Sequence, residues 1–131
     1  MADPPRAGSR SWKGGSVVGK VVFIVSDRIG ASSNPELGGK LMRAFLYSLA
    51  RNEAARPSLV LFMNDGVRLV CEGSDSLDDL TLLAEAGVGI RACGTCLDYL
   101  GLKDAVVVGA VGTMPDSVAA LMDSSDAITV G

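Results

Sequence analysis

Five short apolar runs alternate along the chain with segments whose apolar residues recur every three or four positions. The runs are KVVFIVSD (Lys20–Asp27), SLVLFMND (Ser58–Asp65), VGIRAC (Val88–Cys93), AVVVGAV (Ala105–Val111) and AITV (Ala127–Val130). Runs this short and this rich in β-branched residues are typical of buried strands. Strands that alternate with helices form right-handed βαβ units. The pattern therefore predicts an α/β protein with a five-stranded, mostly parallel sheet in the flavodoxin-like order 2-1-3-4-5 and helices on both faces.

The first helical segment carries clear start signals. Asn34 is a suitable N-cap, Pro35 suits the first helical position, and Ser33 with Glu36 has the spacing of a capping box. Apolar residues then recur every four positions, which predicts an amphipathic helix. Its predicted apolar stripe consists of Leu37, Leu41, Phe45 and Leu49, with Met42 and Leu46 alongside.

Three more helices follow from the same reasoning. The second is predicted to be capped by Ser74 or Asp75 and to end at Gly87. A short third helix covers residues 94–101, and a fourth has Pro115 at its start.

Composition is that of one soluble domain. The 131 residues are nearly half apolar and have a net charge of −3, so we expect a folded core and no nucleic-acid partner. No apolar run approaches the length of a membrane span. The polar, Gly/Pro/Ser-rich residues 1–16 are predicted to be a flexible tail without the features of a secretory signal, and residues 17–131 a single domain.

The chain has three cysteines and no histidine. Three thiols are too few for a disulfide-stapled fold, so we expect a cytoplasmic protein with reduced cysteines. The absence of histidine excludes Ser-His-Asp and Cys-His mechanisms and leaves cysteine as the strongest nucleophile. Cys93 and Cys96 form a Cys-x-x-Cys pair at the predicted end of the third strand.

Ligands of open α/β sheets bind beyond the carboxyl ends of the strands, where the strand order reverses. In the predicted order this point lies between the first and third strands. The Cys pair would then face Asp27 and Arg28, which follow the first strand, and Asn64, which follows the second. We expect these residues to bind the substrate or to stabilise an anion. Arg28 and Arg68 can point into the cleft and stabilise a thiolate or an anionic sulfur donor, and the alternative for each is a solvated surface charge.

Cys93 is predicted to start a helix, where backbone amides favour a thiolate. The amides of Gly94 and Thr95 would hold its charge, and Cys96, one turn further on, can serve as a resolving thiol. Three alternatives stay open. The cysteines can simply pack, the pair can act as a redox sensor, or the SDRIGASSN loop can bind a phosphate ligand or flavin. Structural zinc is disfavoured because it needs four Cys or His ligands, and no metal or cofactor is expected.

Three segments, ELGGKLMRAFLYSL, LVLFMNDGVRLVCEGS and ACGTCLDYLGL, resemble the DsrE/DsrF-like sulfur-relay family. The likeness is greatest to the carboxyl-terminal domain of the YedF-type sulfurtransferase-like proteins linked to selenium metabolism, and it covers roughly residues 20–131. It implies a compact α/β fold, a homo-oligomer, and a persulfide on a cysteine just after the third strand, which matches Cys93 here. Some members of the family lack this cysteine.

From the residues and the resemblance together we predict a sulfur carrier or sulfurtransferase domain. Cys93 accepts a sulfane sulfur and Cys96 assists its release. Since YedF-type chains usually carry an amino-terminal TusA-like domain, which the first sixteen residues are too few to form, the expected donor or acceptor is a separate TusA-like protein. The alternatives are a non-catalytic assembly or regulatory subunit and a small phosphate-ligand or flavin binding module.

Overall fold

The computed structural model describes residues 19–30 and 33–131. These residues form a five-stranded, all-parallel sheet, and the helices lie on both of its faces. The elements are β1 (Lys20–Ile24), α1 (Pro35–Arg51), β2 (Leu59–Phe62), α2 (Leu77–Glu85), β3 (Gly89–Cys93), α3 (Gly94–Tyr99), β4 (Ala110–Gly112), α4 (Met114–Asp123) and β5 (Asp126–Val130). The predicted α/β class is confirmed.

The strand order is β4-β3-β2-β1-β5, so the predicted order 2-1-3-4-5 is wrong. Strand β1 pairs with β2 on one side and with β5 on the other, and it does not touch β3. Strands β1 to β4 lie next to one another in chain order. The connection through α4 then returns across the sheet, so that β5 pairs with β1. Local hydrophobic patterns are equally compatible with both orders, because a buried strand presents the same apolar run to any parallel neighbour.

Two unequal layers cover the sheet. The larger core packs the side chains of α1, α2 and α3 against alternate residues of the strands, including Val60, Phe62 and Ile90. The opposite face has a small core in which Ala120 of α4 packs with Leu59 and neighbouring residues. Since side chains alternate along a strand, adjacent residues of β2 belong to the two different layers.

Helix α1 begins at Pro35, as predicted, but Asn34 makes no side-chain capping bond. Of the predicted apolar stripe of α1, Met42 and Leu46 are buried, and Phe45 and Leu49 are half-buried against the larger core. The residues that face the sheet are Gly38, Met42, Leu46 and Ala50. Leu37 and Leu41 remain exposed.

The fourth strand is shorter than AVVVGAV predicts, because it begins only at Ala110. Gly109 has a φ of +84°, and a Cβ there would collide with Ile90. The preceding valines leave the sheet, and the Val107 N–H donates to the Val70 carbonyl at 2.8 Å. Gly109 thus forms the turn between the segment that bonds to Val70 and the start of β4.

A 3-10 helix, Asn64–Val70, connects β2 to the segment before α2, and we call it the connector helix. It lies directly on the end of β1. Gly66 is buried there, and a Cβ at this position would lie 2.5 Å from the Ile24 carbonyl oxygen. The close approach fixes Asn64, at the start of the connector helix, beyond the carboxyl end of the sheet.

We expect Gly66→Ala to destabilise the protein by about 1–3 kcal/mol, because the added methyl group must push two backbone segments apart. Urea unfolding followed by circular dichroism measures this change. Gly39→Ala is the matched control: it lies within α1, where a Cβ meets only the tip of the Arg43 side chain at 3.8 Å. That variant should gain up to about 1 kcal/mol through helix propensity. Equal effects of the two substitutions would contradict the close contact at Gly66.

The predicted flexible tail, residues 1–16, lies outside the described residues. Within residues 19–30 and 33–131, no helix combines the length and the apolar character needed to cross a membrane.

Candidate functional site

The two cysteines of the Cys-x-x-Cys pair lie where β3 passes into α3. Cys93 is the last residue of β3 and the N-cap of α3, with extended backbone angles of φ −62° and ψ 122°. Cys96 lies in the first turn of α3. Both thiols are free. The predicted strand-to-helix junction at Cys93 is therefore present.

The two thiols differ in accessibility. Cys93 is buried, with 5% of its surface exposed, and it packs in the larger core. Cys96 is half-buried and contacts the edge of that core. A reagent that approaches the pair from solvent consequently meets Cys96 before Cys93.

The connections that follow β3 and β4 leave the sheet on opposite faces, and we call the junction of these two strands the divergence point. After β3 the chain enters α3 on the larger-core face, and after β4 it enters α4 on the opposite face. Adjacent strands whose connections leave to opposite faces form the crevice that binds ligands in open α/β sheets. The corrected strand order therefore keeps Cys93 at a divergence point, although that point lies between β3 and β4 and not between β1 and β3.

Asn64 contributes a backbone donor to the thiol pair. Its N–H donates to Cys96 Sγ at 3.2 Å. Asn64 has a φ of +52°, in the left-handed region that asparagine tolerates better than most residues. The connector helix, which Gly66 holds against β1, thus delivers one amide to the sulfur.

The environment of Cys96 favours its neutral form. Burial raises the pKa of the Cys96 thiol above its usual value, and the adjacent Cys93 thiol raises it further, whereas the Asn64 N–H opposes the shift. Near neutral pH, Cys96 therefore keeps its proton.

The shift has a consequence for stability. Because the pKa of Cys96 is raised in the folded protein, the unfolded chain loses this proton at a lower pH than the native state. We expect the free energy of unfolding to fall as pH rises from the ordinary thiol pKa, 9.0, toward the folded value. Cys96→Ala should reduce this slope, while Thr95→Ala, at the exposed neighbouring position, should not. Urea unfolding at several pH values between neutral and about pH 10 measures the slopes. Identical slopes in the wild type and Cys96→Ala would contradict the raised pKa.

Gly94 and Thr95, the predicted thiolate-holding residues, form the first turn of α3. Gly94 packs closely against β4: a Cβ there would lie 3.1 Å from Val111 Cγ1 and 3.3 Å from the Gly112 carbonyl oxygen. Thr95 is exposed. The tight contact at Gly94 fixes the direction in which α3 leaves the sheet.

Asp27 and Arg28 lie in a different place from the thiols. Both residues line a cleft of about 310 Å³ between α1 and the segment that precedes α2, and neither cysteine of the pair lines it. The strand order explains this separation, because β2 lies between β1 and β3. Of the polar residues expected around the pair, the structure brings Asn64 into contact with it.

Arg91 and Asp116 are charged residues near the divergence point that the sequence interpretation did not select. Arg91 is a half-buried residue of β3, and a Cβ added at Gly112 of β4 would lie 3.4 Å from Arg91 Cβ. Burial lowers the pKa of Arg91, and the Asp116 carboxylate at the start of α4 opposes this shift. The signal in the sequence was an arginine within an otherwise apolar strand.

Within the part of the chain that the structure describes, no three His, Cys, Asp or Glu side chains are grouped so that they could hold a metal ion. Cys71, the third cysteine, is buried and donates from its Sγ to the Val67 carbonyl at 3.2 Å. Its thiol is thus part of the packing around the connector helix.

Neither a protein-family model nor a curated protein sequence matches the chain. Solved structures do resemble it. The ychN protein from Escherichia coli is 18% identical, with a TM-score of 0.61 over 84% of this chain and 98% of that protein. MTH1491 from Methanobacterium thermoautotrophicum, a protein of unknown function, is 21% identical, with a TM-score of 0.50 over 71% of this chain and 80% of that protein. The chain therefore shares its fold with these two proteins.

Proposed function

We propose that the protein carries sulfane sulfur on Cys93 as a persulfide, with Cys96 as the resolving thiol. The observation that supports this best is the contact of two free thiols at the β3/β4 divergence, where Cys96 keeps its proton and Asn64 supplies an amide. The sequence resemblance to DsrE/DsrF-like proteins points to the same chemistry at the same residue. A reducing compartment, the cytoplasm, suits a pair of free thiols.

Loading is an exchange between sulfur atoms. The Cys93 thiolate attacks the outer sulfur of a donor persulfide, the sulfur–sulfur bond of the donor breaks, and the donor leaves as a thiolate. The product is a Cys93 persulfide. No electrons are gained or lost overall, so loading requires no metal or organic cofactor.

Release can follow two balanced routes. An acceptor thiolate can attack the outer sulfur of the persulfide and restore the Cys93 thiolate. Alternatively, the Cys96 thiolate attacks the inner sulfur, which forms a Cys93–Cys96 disulfide and expels hydrosulfide. A cellular dithiol reductant must then reduce that disulfide. The proton on Cys96 slows this second route near neutral pH and so favours transfer to an acceptor.

Access to Cys93 requires a movement of α3. The residue is 5% exposed in the larger core, and the six-residue helix α3, which carries Cys96, begins directly after it. Short surface helices open locally at a small free-energy cost. Tyr99, which is 88% exposed at the end of α3, offers a partner protein an aromatic contact beside the thiols. A separate donor of the TusA-like kind would dock there.

We also infer that the protein self-associates through the face that α4 covers. Met114, Val118 and Met122 on α4 are 51%, 48% and 79% exposed, on the side of the sheet with the smaller core. Apolar side chains grouped on one face are typical of protein–protein contacts. Sedimentation velocity of the wild type and of a Val118→Asp variant tests this, and a monomeric wild type would contradict it.

The sulfur-carrier proposal predicts a defined mass change. After incubation with a small sulfane donor and removal of excess reagent, the wild-type protein should gain about 32 Da, and reduction should reverse the gain. Peptide mapping should place the added sulfur on Cys93. An unchanged mass, or added sulfur on Cys71 alone, would contradict the proposal.

A second candidate function is a non-catalytic subunit in which the cysteines only pack. The burial of Cys93 favours this reading. The two readings differ in the rate at which iodoacetamide alkylates Cys93 in the native protein. A carrier whose α3 opens readily should be alkylated within minutes to hours, whereas a packed cysteine should react only at the rate of global unfolding.

A further inference from the structure

The cleft that Asp27 and Arg28 line is separate from the thiol pair, and its lining is rich in charged side chains. It lies between α1 and the start of α2, and its volume of about 310 Å³ is within the range of small-molecule sites. Three guanidinium groups line it, those of Arg28, Arg43 and Arg68. Guanidinium groups are the side chains best suited to bind phosphate oxygens in pairs.

The carboxylates near these arginines leave guanidinium N–H groups available to donate hydrogen bonds to a ligand. Arg28 lies 3.9 Å from Asp27, and Arg43 lies 3.6 Å from Asp75, so each nitrogen–oxygen distance exceeds that of a hydrogen bond. Among the contacts of these three arginines with described residues, the ion pair of Arg68 with Asp65 is short, at 2.9 Å.

The cleft also faces the start of α2, a nine-residue helix without a side-chain cap. Ser76 is its N-cap residue and is fully buried, yet its hydroxyl has no hydrogen-bond partner within the described chain. The Ser76 N–H donates to Ser74 Oγ at 3.1 Å, and both serines line the cleft. A buried hydroxyl without a partner is unfavourable, and structures keep such groups rarely. A ligand oxygen at the start of α2 would provide the missing partner and would also accept from the first-turn amides.

We propose that this cleft binds a small phosphate monoester that also carries hydroxyl or amino groups. The phosphate would bind Arg28, Arg43 and the start of α2. Three carboxylates, those of Asp27, Glu72 and Asp75, line the same cleft and balance the three arginines. They disfavour a bare anion and can accept hydrogen bonds from the hydroxyl or amino groups of the ligand. Ligand selectivity therefore comes from the combination of arginines, which bind the phosphate, and carboxylates, which bind the hydroxyl or amino groups.

The position of Arg28 is built into the fold. The Ile29 N–H donates to the Gly38 carbonyl at 3.0 Å, which ties the segment after β1 to the first turn of α1. The Arg28 side chain packs on Gly38, where a Cβ would lie 2.9 Å from Arg28 Cβ. A side chain at position 38 would displace Arg28 from the cleft, so the glycine on the buried stripe of α1 also shapes this site.

Titration of the protein with ribose 5-phosphate, followed by amide NMR, tests the proposal. We expect saturable shifts of the amides at residues 74–79, weaker shifts with inorganic phosphate, and none with ribose. Arg43→Gln should weaken binding about tenfold or more, because a charge-assisted hydrogen bond is lost. Lys40→Gln is the matched control: it makes the same charge change on α1 at an exposed residue that does not line the cleft.

Ser76→Ala gives an independent measurement. The variant should fold with undiminished stability, since the hydroxyl makes no bond in the free protein, and should bind ribose 5-phosphate several-fold more weakly. Three results would overturn the proposal: no saturable shift at millimolar ligand, equal losses in Arg43→Gln and Lys40→Gln, or shifts confined to the thiol pair. An effect that sodium sulfate reproduces at equal ionic strength would also overturn it.

Discussion

Cys93→Ser should abolish persulfide formation, with a loss of about 100-fold or more in the sulfur added per chain, because a serine hydroxyl is not a nucleophile at neutral pH without a base. The chain has no histidine that could act as that base. Cys96→Ser should still load sulfur on Cys93 but should release hydrosulfide slowly, since no second thiol can close the disulfide. Mass spectrometry of the intact protein and a colorimetric hydrosulfide assay measure the two effects separately.

Cys71→Ser is the matched control, because it removes the third thiol from a buried position in the packing around the connector helix. It should load and release sulfur as the wild type does. Loading that survives Cys93→Ser but disappears in Cys96→Ser would show that the more exposed thiol is the nucleophile. Loading that survives in both variants would contradict a role for the pair.

The location of the thiol pair follows from sequence, but its accessibility does not. The apolar run before Cys93 and the glycine after it indicate that a strand passes into a helix at this point, and the structure has that junction. Whether the sulfur is exposed depends on how α3 packs on the sheet, a contact between segments distant from each other. The one sequence signal for tight packing there was Gly94, the small residue that lets α3 approach β4.

Local hydrophobic patterns predict neither the order of the strands nor the buried face of α1, and the reasons are related. Every strand here is an apolar run that any parallel neighbour could accept, so the pairing of β1 with β5 depends on the whole crossover of α4. In α1, two apolar stripes run side by side. One is buried, whereas in the other Leu37 and Leu41 are exposed and Phe45 and Leu49 are half-buried against the larger core. The buried stripe includes Gly38 and Ala50, because close approach to the sheet requires small residues at its ends.

The cleft beside α2 was the hardest feature to find from sequence. Arg28 and Arg68 were selected from the sequence as cations that point into a cleft, but Arg43 comes from α1, and only the tertiary fold brings the three together. Ser76 gave no signal, since a serine just before a helix normally predicts a capping bond. The structure shows a helix start at this residue with no such bond.

Phe62→Ala should give the largest loss of stability among these substitutions, about 3–5 kcal/mol in the free energy of unfolding. Phe62 is 1% exposed and packs in the larger core, under α1, α2 and α3. Phe23→Ala is the matched control on the other face of the sheet, where the side chain is half-buried beside the smaller core. Because solvent already reaches that side chain, its loss should be less than about 2 kcal/mol. Urea unfolding followed by circular dichroism gives both values.

The difference between these two variants measures how unequally the layers contribute to stability. Should Phe62→Ala be insoluble, Phe62→Leu keeps most of the volume and should cost less than about 2 kcal/mol, which still exceeds the effect of Phe23→Leu. Equal losses at the two positions would mean that the α4 face is as well packed as the opposite face. The exposed residues Met114, Val118 and Met122 would then no longer mark the weakly covered side on which self-association is proposed.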